Sequence, residues 1–240
     1  MRSPIKSFKA FWVRFLRWQE RTREPGLTVL LFIEGTLIFL AIPLGGMGLL
    51  PEFVLPAMFI LFVLATLVVT SRSHLAAFLV FIAVLLSPAS SVIHAEHPTV
   101  LTEWLSGGGR LLAITVLSLV IARAVFASGR VTLHRVQGAV VLYLNFALFF
   151  FTIYRLIDVL APGAFRGLPP TGSEYGSGAA LLYFSFSTLT TVGYGDITPL
   201  HPMARNFANF EAVLGQLYPA TLLARLVSLE ISYRRPSKND

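Results

Sequence analysis

The stretch that decides the fold is Thr190–Asp196, with the sequence TTVGYGD. Its two glycines stand two positions apart, and glycine adopts φ > 0 at no steric cost. Residues with positive φ turn successive backbone carbonyls toward one side, which a regular helix or strand does not do. Val192 and Tyr194, which alternate with the glycines, must then direct their side chains away from those carbonyls and pack.

Apolar segments flank this stretch on both sides. Upstream, Ser177–Leu189 is apolar and of helical length, but it is too short to cross a bilayer, which takes about 20 residues. We expect this helix to begin near Ser177, because serine is a favoured N-cap residue. Downstream, beyond Pro199 and Pro202, a long apolar segment resumes. The sequence therefore predicts a re-entrant helix that leads into the glycine-containing stretch.

The six residues TVGYGD, Thr191–Asp196, resemble the selectivity filter of potassium channels. The resemblance extends from about Gln137 to Arg235 and covers an outer helix, a pore helix, the filter and an inner helix. It implies that backbone carbonyls replace the water that a potassium ion sheds, so that K+ is bound at Thr191, Val192, Gly193 and Tyr194, with Gly195 completing the filter. One such segment cannot encircle an ion, so four identical chains are expected.

The resemblance also indicates which residues hold the filter in place. Many pore helices of the family carry a Trp pair that restrains the Asp after the filter, but the matching positions here are Tyr183 and Phe184. Since Phe184 has no hydrogen-bond donor, we expect a less restrained outer mouth, unless Tyr183 or Ser187 substitutes. The predicted supporting residues are Thr190, Asp196, Tyr183 and Ser187.

The last apolar segment carries the residues that the resemblance assigns to the cavity and the gate. Gly215 resembles the hinge glycine of potassium-channel inner helices, although close helix packing is an equally good explanation. Pro219 cannot donate a backbone hydrogen bond and should kink the helix. By the same resemblance Gln216, Pro219 and Leu223 face a water-filled cavity. Glu211 is expected to brace the pore helix from behind the filter.

Composition places the chain among membrane proteins. Of its 240 residues 55% are hydrophobic and 13% are charged, against roughly 25% charged residues in soluble domains. The net charge of +7 does not indicate nucleic-acid binding, because the basic residues cluster at the ends of apolar segments. No Ser-His-Asp, paired-carboxylate or Cys-His pattern indicates an enzyme, and the chain has no cysteine. We expect no cofactor and no small-molecule substrate, with K+ as the permeant ion.

The predicted fold is an all-α integral membrane protein with six spanning helices and one re-entrant pore helix. The Lys and Arg residues of the N-terminus, of alternate loops and of the tail place both termini in the cytoplasm. The chain is expected to be multi-pass, in contact with membrane lipids, in a plasma membrane of the bacterial inner-membrane type. The spans are expected near Leu27–Gly45, Phe53–Thr70, Leu75–Ile93, Leu111–Ala127, Val136–Leu160 and Arg205–Ser232.

Three parts of the chain are expected to differ in role. Residues 1–26 are basic and amphipathic and should lie on the inner leaflet. Residues 27–128 form a four-helix peripheral domain in the position of a voltage sensor, and residues 136–235 form the pore domain. Arg110, Arg123 and Arg130 do not recur at every third position, and steep gating needs several charges per subunit. Weak or absent voltage dependence is therefore predicted.

Glu34 is the conspicuous ionisable residue of the first span. It lies about 10 Å along the helix from Leu27 at 1.5 Å per residue, where an unpaired carboxylate is costly. Arg123 and Arg225 both qualify as partners, and we expect an intramembrane ion pair with Arg123, which would hold span one to span four. A proton- or ion-sensing role of Glu34 is the alternative.

The sequence thus predicts a homotetrameric potassium-selective channel that is not strongly voltage-gated. A nonselective cation channel is an alternative, although such filters commonly lose the tyrosine that is present here as Tyr194. A potassium transporter would carry four degenerate filter segments in one longer chain. A membrane scaffold or sensor with a non-conducting pore is the alternative from a different class.

Overall fold

The computed structural model describes residues 26–51, 53–70, 78, 100–126, 132–169 and 174–234. Six helices and one two-stranded antiparallel sheet make up this part of the chain. The strands pair Phe165 with Pro199 and Arg166 with Thr198. In chain order the elements are α1 (residues 26–46), α2 (Val54–Thr70), α3 (Val100–Val125), α4 (Leu133–Leu160), β1 (Phe165–Arg166), α5 (Glu174–Leu189), β2 (Thr198–Pro199) and α6 (Pro202–Arg234).

The bounds of these helices test the predicted segments. The first, second, fifth and sixth predicted spans coincide with α1, α2, α4 and α6 to within a few residues at each end. Residues 1–25 and most of the predicted span Leu75–Ile93 lie outside the described residues. Of the described helices, two are both long and apolar enough to cross a membrane, over Gly26–Gly45 and Leu133–Leu160. The number of six spans stays a prediction.

Two predicted helix starts are wrong. The helix predicted as the fourth span, α3, begins at Val100, well before Leu111, and it includes Gly107–Gly109, of which Gly107 packs closely against α4. A methyl group at Gly107 would lie 2.5 Å from a δ-carbon of Leu156, so that α3 and α4 approach closely there. The pore helix contains Ser177 in its interior instead of at its N-cap, because α5 begins at Glu174.

Helix α1 contains a π turn over Leu37–Ala41. The Ile42 N–H donates to the Leu37 carbonyl, five residues back, and Pro43 follows immediately. Proline lacks the N–H that would bond to the carbonyl four residues earlier, and its ring crowds that carbonyl. The wider turn makes room for the proline ring, and π turns of this kind interrupt helices locally without ending them.

Apolar contacts join α1 to both α4 and α5. Ile38 belongs to a buried cluster with Leu144 of α4 and Leu182 of α5. The rings of Phe39 and Phe186 lie 5.3 Å apart between centroids. The first helix therefore packs against the helix that leads into the filter-like stretch of the same chain.

A second buried cluster holds α4, α5, α6 and β1 together. Its aromatic centre is Tyr154, Phe165 and Phe184, whose ring centroids lie 5.1–5.7 Å apart with steeply tilted planes. Edge-to-face pairs at such distances are favourable beyond the area that they bury. This cluster fixes the position of α5, and thereby of the loop that follows it.

Candidate functional site

Residues 190–196 form a loop in which positive φ recurs at every second residue. The φ angle is +58° at Thr191, +56° at Gly193 and +80° at Gly195. The positive φ predicted for the glycines is confirmed, whereas that of Thr191 was not predicted. A left-handed conformation costs an L-residue about 1–2 kcal/mol, so the surrounding structure must hold Thr191 in place. This alternation lets successive carbonyls face one side.

Hydrogen bonds anchor the loop to the last turns of α5. The Gly193 N–H donates to the Ser187 carbonyl at 3.1 Å, and the Thr190 N–H donates to the Phe186 carbonyl at 3.0 Å. The Thr190 hydroxyl donates to the same Phe186 carbonyl at 2.7 Å. Thr190 and Ser187, which are predicted to support the filter, thus form hydrogen bonds at the end of α5, and the Ser187 hydroxyl donates to the Phe184 carbonyl instead of to Asp196.

Tyr183 supplies the restraint on Asp196 that Phe184 cannot provide. The Tyr183 hydroxyl is hydrogen-bonded to the Asp196 carboxylate, and its ring stacks on Tyr194 with centroids 5.9 Å apart. Of the two residues that the sequence left open as substitutes, Tyr183 is therefore the one that is bonded to Asp196.

The loop that follows α4 packs against the end of the 190–196 loop at Asp196. Gly167 has φ +89°, and a β-carbon there would overlap the Asp196 carbonyl oxygen. The Leu200 N–H donates to the Ala164 carbonyl at 2.7 Å, next to the β1–β2 pairing. Sequence reasoning missed Gly167, because an isolated glycine in a loop gives no indication of which backbone it approaches.

Helix α6 approaches the end of α5 closely at Gly215. A β-carbon at Gly215 would overlap the Leu189 carbonyl oxygen, and the three heavy atoms nearest to it are all backbone atoms of Leu189. The Tyr143 hydroxyl donates to the same carbonyl at 3.3 Å. Of the two explanations left open for this glycine, close packing is the one that the structure supports.

The outer helix α4, the short helix α5 with its loop, and the inner helix α6 lie in the part of the chain that is similar to known proteins. The family model described as "Ion channel" matches residues 138–231, from the second turn of α4 to the last turn of α6. Protein LctB of Bacillus caldotenax is 34% identical over 103 residues, which cover 42% of this chain and 76% of that protein. This chain belongs to the ion channel family. Protein LctB of Geobacillus stearothermophilus is 33% identical over 106 residues, which cover 43% of this chain and 78% of that protein.

In this ion channel, the residues predicted to face the cavity share one side of α6. Gln216, Pro219 and Leu223 are all exposed on the single chain, and their spacing of three and four residues places them on one helix face. The helix continues through Pro219. The structure therefore brings these three residues together, while Gly215 next to them is buried against α5.

Behind the filter-like loop of the channel lies a buried polar cluster. The Glu211 carboxyl group of α6 is bonded to Tyr154 of α4 and to Ser185 of α5, so that the expected bracing of the pore helix by Glu211 is confirmed. Tyr154 and Ser185 were missed by sequence reasoning. The available signal was a polar side chain at an interior position of each apolar helix.

The predicted ion pair between Glu34 and Arg123 is wrong. Glu34 is fully buried, and neither of its carboxyl oxygens has a hydrogen-bond partner in the part of the chain that the structure describes. Arg123 is exposed. The prediction relied on the similar depths of the two residues in their helices, but an ion pair also requires that the two side chains face each other. Glu34 lies one turn from Leu30 and from Ile38, both buried in apolar clusters.

Removing the hydroxyl of Tyr183 should loosen the outer end of the loop. We expect Tyr183→Phe to keep the fold, because the ring still stacks on Tyr194, but to release Asp196. Loss of one hydrogen bond to a charged group is worth about 1.5–3 kcal/mol in each chain. Currents recorded from the purified channel in bilayers should then decline during sustained opening, whereas the wild type stays steady. Equally steady currents in both proteins would contradict this role of Tyr183.

Removing the carboxyl group of Glu34 should stabilise the protein. A buried polar group without a partner costs about 1–3 kcal/mol, so Glu34→Leu should raise the thermal unfolding midpoint of the detergent-solubilised protein. Arg123→Leu is the matched variant and should change stability little, since surface substitutions stay within about 0.5 kcal/mol. If the two residues were paired after all, both variants would lower the midpoint.

Proposed function

We propose that the protein is a potassium-selective channel whose ion pathway is lined by the backbone of Thr191–Gly195. The observation that carries the proposal is the positive φ at residues 191, 193 and 195 within the sequence TVGYG. Such a backbone presents a file of carbonyl oxygens that replace the hydration shell of K+. The bound ions would lie at Thr191, Val192, Gly193 and Tyr194, and conduction would need no cofactor.

A homotetramer is part of the proposal, because one loop supplies only one side of a ring. Val192 is 52% exposed and Tyr194 69% exposed on the single chain, although both side chains should pack in a working filter. Helix α6 also exposes an apolar series, formed by Phe210, Val213, Leu217, Leu223 and Val227. Neighbouring chains and lipid tails would cover these side chains in the assembled channel.

The peripheral helices support a channel that is not strongly voltage-gated. Within the described residues α3 carries Arg110 and Arg123, thirteen positions apart, and these do not form a stripe. Moving one charge through 100 mV contributes about 2.3 kcal/mol, so irregular single charges give shallow gating. We propose six spans, both termini in the cytoplasm and a plasma-membrane location for this chain.

Ion flux into liposomes tests the proposal. Vesicles that contain the purified protein and KCl, diluted into NaCl, should take up protons through an added protonophore as K+ leaves, and protein-free vesicles should not. An absence of flux in vesicles that hold intact oligomers would favour a non-conducting scaffold. Flux of the same size with the two cations exchanged would favour a nonselective cation channel.

A further inference from the structure

The buried polar cluster around Glu211 joins three helices directly behind the proposed filter. Glu211 of α6 is fully buried. Its Oε2 accepts a hydrogen bond from the Tyr154 hydroxyl of α4 at 2.6 Å. Its Oε1 lies 2.5 Å from the Ser185 hydroxyl of α5. The carboxyl group therefore contacts both of the other helices of the pore domain.

Ser185 has one more contact, and this contact decides where a proton lies. The Ser185 Oγ is also 2.8 Å from the Ala147 carbonyl oxygen of α4. A serine hydroxyl carries a single proton, so Ser185 cannot donate to both Ala147 and an ionised Glu211. A protonated Glu211 removes the conflict, because it donates to Ser185 Oγ while Ser185 donates to Ala147. All three short contacts are then hydrogen bonds, whereas an ionised Glu211 supports two.

The surroundings of the carboxyl group also favour its neutral form. An isolated charge in the membrane interior is costly and is usually paired, but the groups in contact with Glu211 are hydroxyls. Among the described residues, the titratable groups that face it from α4 are Tyr154 and Tyr143, whose neutral forms carry no compensating charge. From α5 the facing group is Ser185, which does not titrate. Short O–H···O distances fit either form of the carboxyl group, so the hydrogen count decides.

We propose that Glu211 is a positioning residue that holds a proton in the folded channel and that this proton completes the link from α6 through Ser185 to α4. Ser185 lies two residues before Ser187, whose carbonyl anchors Gly193. The link therefore fixes the helix end on which the filter loop depends. Loss of the proton at alkaline pH would turn the Ser185 hydroxyl toward Glu211, break its bond to the Ala147 carbonyl and so loosen α5 from α4. Conduction should accordingly fall as the pH rises above neutral, a consequence that rests on the proposed channel function.

Infrared spectroscopy tests the proton itself and needs no conduction. At neutral pH the purified channel should show a protonated-carboxyl band that Glu211→Gln removes. Glu34→Gln serves as the matched control, because Glu34 is the other fully buried carboxyl group in the described residues and its band should be separate. Ser185→Ala removes the acceptor of the proton and should shift the Glu211 band to higher frequency. Identical spectra of the wild type, Glu211→Gln and Ser185→Ala would overturn the proposal.

Flux measurements test the positioning role. A glutamine at position 211 accepts from Tyr154 and donates to Ser185, as the protonated carboxyl group does, so Glu211→Gln should keep the neutral-pH flux and lose the alkaline decline. Ser185→Ala should reduce flux roughly tenfold, the effect of about one lost hydrogen bond. If Glu211→Gln assembles but abolishes flux, the ionised form is required and the proposal fails. A wild type that shows the infrared band but no flux would instead refute the proposed function alone.

Discussion

Gly215→Ala should abolish ion flux and weaken assembly of the channel. The added methyl group would overlap the carbonyl oxygen of Leu189, and its neighbours there are backbone atoms, which cannot rotate away as a side chain does. Either α6 moves outward or the end of α5 shifts, and the filter loop begins directly after Leu189. Overpacking of this kind typically costs about 1–3 kcal/mol per site, and a fourfold assembly repeats the cost in each chain.

Gly35→Ala is the matched control for this variant. Gly35 also lies in a helix, and a β-carbon there meets nothing within 4 Å, so the change should be tolerated and should favour the helix slightly. Size-exclusion chromatography and liposome flux distinguish the two variants. If Gly215→Ala assembles and conducts like Gly35→Ala, Gly215 does not serve close packing, and the hinge explanation regains support.

Gly193→Ala should eliminate potassium conduction while leaving the fold intact. Gly193 has φ +56°, and an alanine in that conformation costs about 1–2 kcal/mol in each chain. If the conducting arrangement requires all four chains, the summed cost of about 4 kcal/mol or more reduces flux roughly a thousandfold. No neighbouring atom lies within 4 Å of the added methyl group in the single chain, so the effect comes from backbone conformation.

Gly163→Ala separates filter function from backbone strain in general. Gly163 has φ +83° and open space around its α-carbon, but it lies in the loop between α4 and β1. Its alanine variant should lose a comparable amount of stability and still conduct. Equal loss of flux in the two variants would show that Gly193 has no special part in the ion pathway.

The sequence predicted best where one residue type has few conformational or chemical alternatives. The positive φ of Gly193 and Gly195 follows from their alternation with Val192 and Tyr194. The family match to residues 138–231 agrees with the stretch of resemblance. The positive φ angles of the two glycines depend on the local sequence pattern alone.

Features that depend on which side of a helix faces which neighbour could not be predicted. Glu34 and Arg123 have matching depths in their helices, yet one is buried without a hydrogen-bond partner in the described part of the chain and the other is exposed. The restraint on Asp196 came from Tyr183 because the neighbouring Phe184 turns into the aromatic cluster with Tyr154. A sequence pattern fixes spacing along one helix, but helix rotation and approach are set by tertiary packing.

The reversal potential of single channels between K+ on one side and Na+ on the other tests the central claim most directly. Carbonyl oxygens of Thr191–Gly195 from four chains should bind K+ in place of water and reject Na+, so the current should reverse near the potassium equilibrium potential. A reversal potential near zero, with Na+ carrying current as readily as K+, would contradict the proposed filter.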